Sequence, residues 1–80
     1  MKIAIYGTGC KKCKQLFANA EAAVAAAGVA AEIVKVEALN EIVQAGIMFT
    51  PGLAIDGEVK STGKVPTADQ IAQWLKDAQS

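Results

Sequence analysis

Residues 2–17, KIAIYGTGCKKCKQLF, decide the fold because the hydrophobic pattern changes period partway through them. Lys2 to Tyr6 is a short β-prone run with apolar side chains at successive positions, the pattern of a strand covered on both faces in the middle of a sheet. Gly7 ends it. From Cys13 onward the apolar positions Leu16, Phe17, Ala20, Val24 and Ala27 recur at steps of three and four, which is one stripe of a helix. Gly28 stands where a left-handed cap closes that helix. A strand, a short loop and a helix opening at two cysteines are therefore expected in the first 28 residues.

The rest of the chain extends this unit. Glu32-Ile33-Val34-Lys35-Val36 reads as a second strand, and a strand reached through a helix from the first pairs with it in parallel by a right-handed crossover. Leu39, Ile42 and Val43 before Gly46 suggest a second helix of about two turns. After Thr50-Pro51-Gly52, the runs Leu53-Ala54-Ile55 and Glu58-Val59-Lys60-Ser61 flank Asp56-Gly57, the pair a type I′ hairpin turn prefers. Thr67-Ala68-Asp69-Gln70 spells a capping box, Pro66 sets its entry, and Ile71, Trp74, Leu75 and Ala78 form the apolar face of a last helix. The expected order is βαβαββα, an α/β fold with a central four-stranded mixed sheet flanked by helices. Phe17, Phe49 and Trp74 are expected in the core, Tyr6 packs at a strand end, and Asp56-Gly57 is read as a turn with no other role.

Composition narrows the function classes. Eighty residues make a single domain over 1–80, near the lower size at which one apolar core suffices. Apolar residues are 52% of the chain, many of them alanines in the tract from Ala18 to Ala31. Eight Lys and Arg balance eight Asp and Glu, so no overall field attracts nucleic acid or an acidic membrane. Met1-Lys2 runs straight into Ile3-Ala4-Ile5, too short and β-like for a secretory segment, and no apolar run approaches a membrane span. The expectation is a cytosolic monomer. In a reducing compartment two cysteines are a poor structural staple, which points to redox or metal chemistry.

The loop before the first helix lies at the carboxyl end of a parallel strand, where open α/β sheets place their ligands. A thiol at a helix start faces unpaired N–H groups and the positive end of the helix dipole, and Lys11 and Lys12 add charge between the sulfurs. Each favours the thiolate of Cys10 and makes it the expected nucleophile. Cys13, one turn on and facing the Leu16 side, is the expected sheltered, resolving thiol. The Cys10 thiolate then attacks a substrate disulfide, and Cys13 displaces the reduced product to leave a Cys10–Cys13 disulfide, with no other general base invoked. No cofactor beyond that disulfide is expected. Glu21, Glu32, Glu37, Glu41 and Glu58 show no paired spacing for acid/base work. Two thiolates also suit a soft ion such as Cu(I), and two buried structural thiols remain the plainest alternative. A closed zinc site wants four ligands, and the chain holds no His and no further Cys.

Cys10-Lys11-Lys12-Cys13, Thr50-Pro51, Ile55-Asp56-Gly57 and Gly63-Lys64-Val65-Pro66, in a βαβαββα order, resemble the thioredoxin/glutaredoxin fold, and in particular its small redox-active disulfide proteins. The resemblance covers essentially the whole chain. It implies a thiol–disulfide oxidoreductase, a cis Thr50-Pro51 bond facing the cysteines, and a Thr50 backbone that pairs with an extended substrate. Gly9, Lys11 and Lys12 would border the substrate. The implied partners are a disulfide-bearing protein or small thiol, with a reductase or glutathione as electron donor. Copper chaperones also carry a C-x-x-C on a first βα loop, but in the order βαββαβ and with Met where this chain has Thr8. Typical thioredoxins carry Trp before the first cysteine and a buried acid six residues before it, where this chain has Gly9 and Ala4. Their buried proton relay is not expected here.

Overall fold

The strands and helices follow one another as β1 (Lys2–Tyr6), α1 (Lys11–Ala27), β2 (Glu32–Val36), α2 (Leu39–Gln44), β3 (Gly52–Ile55), β4 (Glu58–Thr62) and α3 (Ala68–Gln79). The computed structural model describes residues 1–9 and 11–79, with the side chain of Gln79 excepted. The four strands form one mixed sheet in the order β2-β1-β3-β4. β1 runs parallel to β2 and antiparallel to β3, and β3 pairs antiparallel with β4. This is the thioredoxin-like α/β fold, with a four-stranded mixed sheet flanked by helices.

Register explains the core. Ile3 lies opposite Ile33 on β2 and Ile55 on β3, and Ile5 lies opposite Leu53. Alternation along each strand puts these side chains on one face. Leu16, Ala20 and Ala23 of α1 and Ile71, Ala72 and Leu75 of α3 close over that face. Each fully buried Ile or Leu contributes about 1.5–3 kcal/mol relative to exposure. Phe17 and Trp74 pack against the cluster half-buried. On α3 the buried position is Ala72, while Ala78 is exposed.

The other face is covered less fully than the apolar run in β1 suggests. Ala4 and Tyr6 stay half-exposed there, with Val34 and Val36 beside them. Ile42 of α2 and Ile47 after it are the buried apolar side chains of that segment, and Ile47 packs directly over Gly52. Leu39 and Val43 do not join them. Their spacing puts positions 39, 42 and 43 on one side of α2, yet of the three only Ile42 is buried. Phe49 is likewise exposed rather than core, its Cβ set close against Gly63 while the ring stays largely in solvent.

Local signals set the ends of the elements. Asp56 (φ 50°) and Gly57 (φ 86°) both occupy the left-handed region that a type I′ turn requires, joining β3 to β4 with two residues. Asp56 does more than turn the chain. Its carboxylate accepts a hydrogen bond from the Lys2 N–H (2.8 Å), and its own N–H donates to the Lys2 carbonyl (2.8 Å). The hairpin tip is thereby tied to the start of β1. The Thr67 hydroxyl accepts from the Gln70 N–H at 3.1 Å, which is the capping bond expected of Thr67. Asn19 of α1 donates to the Pro66 carbonyl (3.0 Å) and links α1 to the entry of α3.

Candidate active site

Cys13 sits in the first turn of α1 and is 6% exposed. The helix stripe that buries Leu16 and Ala20 also carries Cys13 inward, as its spacing from them implies. Directly across from it lies Gly7, one residue past β1 and held in the sheet by its N–H to the Val36 carbonyl (3.0 Å). A side chain at Gly7 would land on Cys13 Sγ and lie 3.3 Å from Cys13 Cβ. Only hydrogen leaves room for the sulfur. The same position lies 4.0 Å from Pro51 Cα, so the Thr50-Pro51 segment also comes close to Gly7 here. The Thr50-Pro51 peptide bond is cis, with Pro51 buried and Thr50 exposed.

Cys10 lies outside the described residues. Gly9, Lys11 and Lys12 are exposed around it in sequence. α1 has no acidic residue in its first turn, and among the described residues neither Lys11 nor Lys12 makes an ion pair. Their charges are open to an incoming group.

A cleft of about 130 Å³ reaches Cys13, lined also by Ile5, Gly7, Gly9, Lys14, Lys35 and Glu37. Lys35 and Glu37 escape a linear reading because they are more than twenty residues from the cysteines. A signal for them does exist in the strand pattern. Alternation puts residues 33, 35 and 37 on the face of Ile33, and the parallel pairing of β2 with β1 sets that row beside Ile5 and Gly7. The Lys35 ammonium lies 4.6 Å from the centroid of the Phe17 ring, a cation–π contact that holds it against α1. A wider cleft of about 500 Å³ between β4 and α3, lined by Lys60, Lys64, Pro66 and Trp74 among others, contains neither thiol nor carboxylate. Among the described residues, no group of three or more His, Cys, Asp or Glu side chains comes together as a metal site.

The family described as Thioredoxin domain matches residues 1–76. The chain belongs to the thioredoxin family. It is 45% identical over 75 residues to a protein named Thioredoxin from Methanothermobacter thermautotrophicus, spanning 94% of this chain and 97% of that one. It is also 45% identical over 74 residues to a protein named Thioredoxin from Methanocaldococcus jannaschii, covering 92% of this chain and 85% of the relative. The activity of this thioredoxin-family chain is thiol–disulfide oxidoreduction. Its element order, βαβαββα, is not the βαββαβ of the copper chaperones that share a C-x-x-C on a first βα loop. No helix among the described residues is long and apolar enough to cross a membrane.

Proposed function

We propose that this chain reduces disulfide bonds in partner proteins through a cycle of Cys10 and Cys13. Cys10, at the head of α1 beside Lys11 and Lys12, attacks the substrate disulfide as a thiolate. Cys13 then displaces the substrate and closes the Cys10–Cys13 disulfide. The observation that carries this reading is the setting of Cys13: buried in the first turn of α1 and fitted against Gly7, with the Thr50-Pro51 segment close to that glycine. A sulfur held there is sheltered from solvent yet opens on the loop that carries its partner. The exposed backbone of Thr50 is the expected pairing strand for an extended substrate segment, with Gly9 at the rim.

The surface leading into Thr50 favours a protein substrate over a small thiol. Among the described residues, four of the five exposed large apolar side chains fall within residues 39–49: Leu39 (70%), Val43 (66%), Met48 (85%) and Phe49 (68%). Together they present on the order of 500 Å² of apolar surface, the size of a functional patch and below the roughly 800 Å² per partner of a stable complex. That area suits a brief encounter with a redox partner and leaves the chain a monomer between encounters. A reductase or glutathione restores the dithiol, in a cytosolic setting that keeps thiols reduced.

Insulin reduction by the wild type, Cys10→Ser and Cys13→Ser tests the cycle. Both variants lose turnover, and Cys13→Ser accumulates a mixed disulfide with the substrate. Stoichiometric Cu(I) binding without any reductase turnover in the wild type overturns the reading in favour of a soft-metal module.

A further inference from the structure

The cycle proposed above, on which this inference rests, leaves one proton without a destination. Cys13 is buried, and its sulfur must shed a proton before it can attack Cys10. The cleft at Cys13 does contain charged groups, and they face it from only two elements: Lys14 from α1, and Lys35 and Glu37 from β2 and the residue after it. β1 contributes only Ile5 and Gly7, and the loop only Gly9. A lysine ammonium offers three donors and no acceptor. Among the described residues that line the cleft, Glu37 is the one with a carboxylate.

We propose that Glu37 is the proton acceptor for Cys13 in the second half of the cycle, reached through water. At about 30 Å³ per molecule, the cleft has room for several waters. The Cys13 S–H proton passes along them to Glu37. The electron pair left on sulfur forms the bond to Cys10, and the bond between Cys10 and the substrate sulfur breaks with its pair on the substrate. The departing thiolate takes a proton from Glu37 or from solvent. Two electrons pass from the dithiol to the substrate disulfide, and no further oxidant or reductant is needed. Lys14 and Lys35, the latter held on the Phe17 ring, favour the thiolate while it exists. The relay thus enters from the end of β2.

Ellman's disulfide separates the two steps, because attack by Cys10 releases one coloured thiolate and displacement by Cys13 releases a second. In stopped-flow at pH 6–8, the full chain carrying Glu37→Gln keeps the first phase within about twofold and slows the second by at least about tenfold, at the low end of general-base effects because water intervenes. The difference closes above about pH 9.5, where hydroxide deprotonates the thiol directly, and Glu37→Asp recovers part of the rate. The sign excludes a purely electrostatic role, since removing a negative charge near Cys13 would by itself favour the thiolate and hasten the second phase. A second phase that is unchanged or faster in Glu37→Gln, or two phases slowed equally, overturns the proposal. A wild type with no first phase overturns the cycle itself, a separate and distinguishable outcome. Glu37 is exposed, so the variant keeps its fold, and an unchanged melting temperature checks this.

Discussion

Gly7→Ala places one methyl group between β1 and the resolving sulfur, and its consequence can be worked out atom by atom. Gly7 has no positive φ, so alanine is compatible with the backbone there, and the loss of unfolded-state freedom would by itself stabilise by about 0.4–1 kcal/mol. Against that, the new Cβ falls inside van der Waals contact of Cys13 Sγ. Either the sulfur leaves its position or α1 shifts from β1, and overpacking of this kind costs about 1–3 kcal/mol. The net loss of roughly 1–2 kcal/mol lowers the melting temperature by roughly 4–16 °C in a domain of this size. It stays below the total stability of about 4–12 kcal/mol expected for 80 residues, so the variant folds. The test is a double-mutant cycle of Gly7→Ala with Cys13→Ala, followed by denaturant unfolding in excess reductant. With the sulfur gone, the nearest remaining contact is Cys13 Cβ at 3.3 Å, which needs only a small adjustment. Gly7→Ala is then neutral or stabilising by up to about 1 kcal/mol in the Cys13→Ala background, and the coupling energy is about 1–3 kcal/mol. Equal costs in both backgrounds would refute the claim that Gly7 is small because Cys13 is there.

Removing the cap of α3 by Thr67→Ala lowers stability by about 1 kcal/mol, read as a fall of roughly 4–8 °C in melting temperature. Thr67→Ser, which keeps the hydroxyl, stays near the wild type. Asp56→Ala loses the bond to the Lys2 N–H and leaves a β-carbon in the left-handed region, for about 1–2 kcal/mol. Asp56→Asn keeps an acceptor and tolerates that backbone, so equilibrium unfolding places it between the two. Met48→Ser combined with Phe49→Ser changes stability by no more than about 0.5 kcal/mol because both side chains are exposed. The same pair raises KM for insulin while leaving the rate with Ellman's disulfide unchanged, and equal loss on both substrates would count against a protein-docking surface.

Elements with local chemical signals were legible in the residues alone. Asp56-Gly57 marks its turn by two positive φ angles, Thr67 marks its helix start by a hydroxyl, and Cys13 lies on the stripe its spacing from Leu16 defines. What escaped depends on chain segments far apart in sequence. Apolar character at Leu39, Val43 and Phe49 says that these side chains avoid water, not whether the fold covers them, and among the described residues they stay exposed. The second role of Asp56 needs Lys2, fifty-four residues away. At the site, the thiol pair and Thr50-Pro51 are visible as motifs, whereas Gly7, Lys35 and Glu37 acquire meaning only when β1 and β2 pair in parallel.

The two outer strands of the sheet carry a consequence for behaviour at high concentration. β2 and β4 each leave one backbone edge without a neighbouring strand. β2 bears Glu32 and Lys35, and β4 bears Glu58 and Lys60, the last two joined at 3.1 Å. A second chain sliding alongside either edge to extend the sheet would have to strip water from these charges, which is how natural sheets discourage runaway stacking. Copies are thus steered away from one another along the flanks of the sheet.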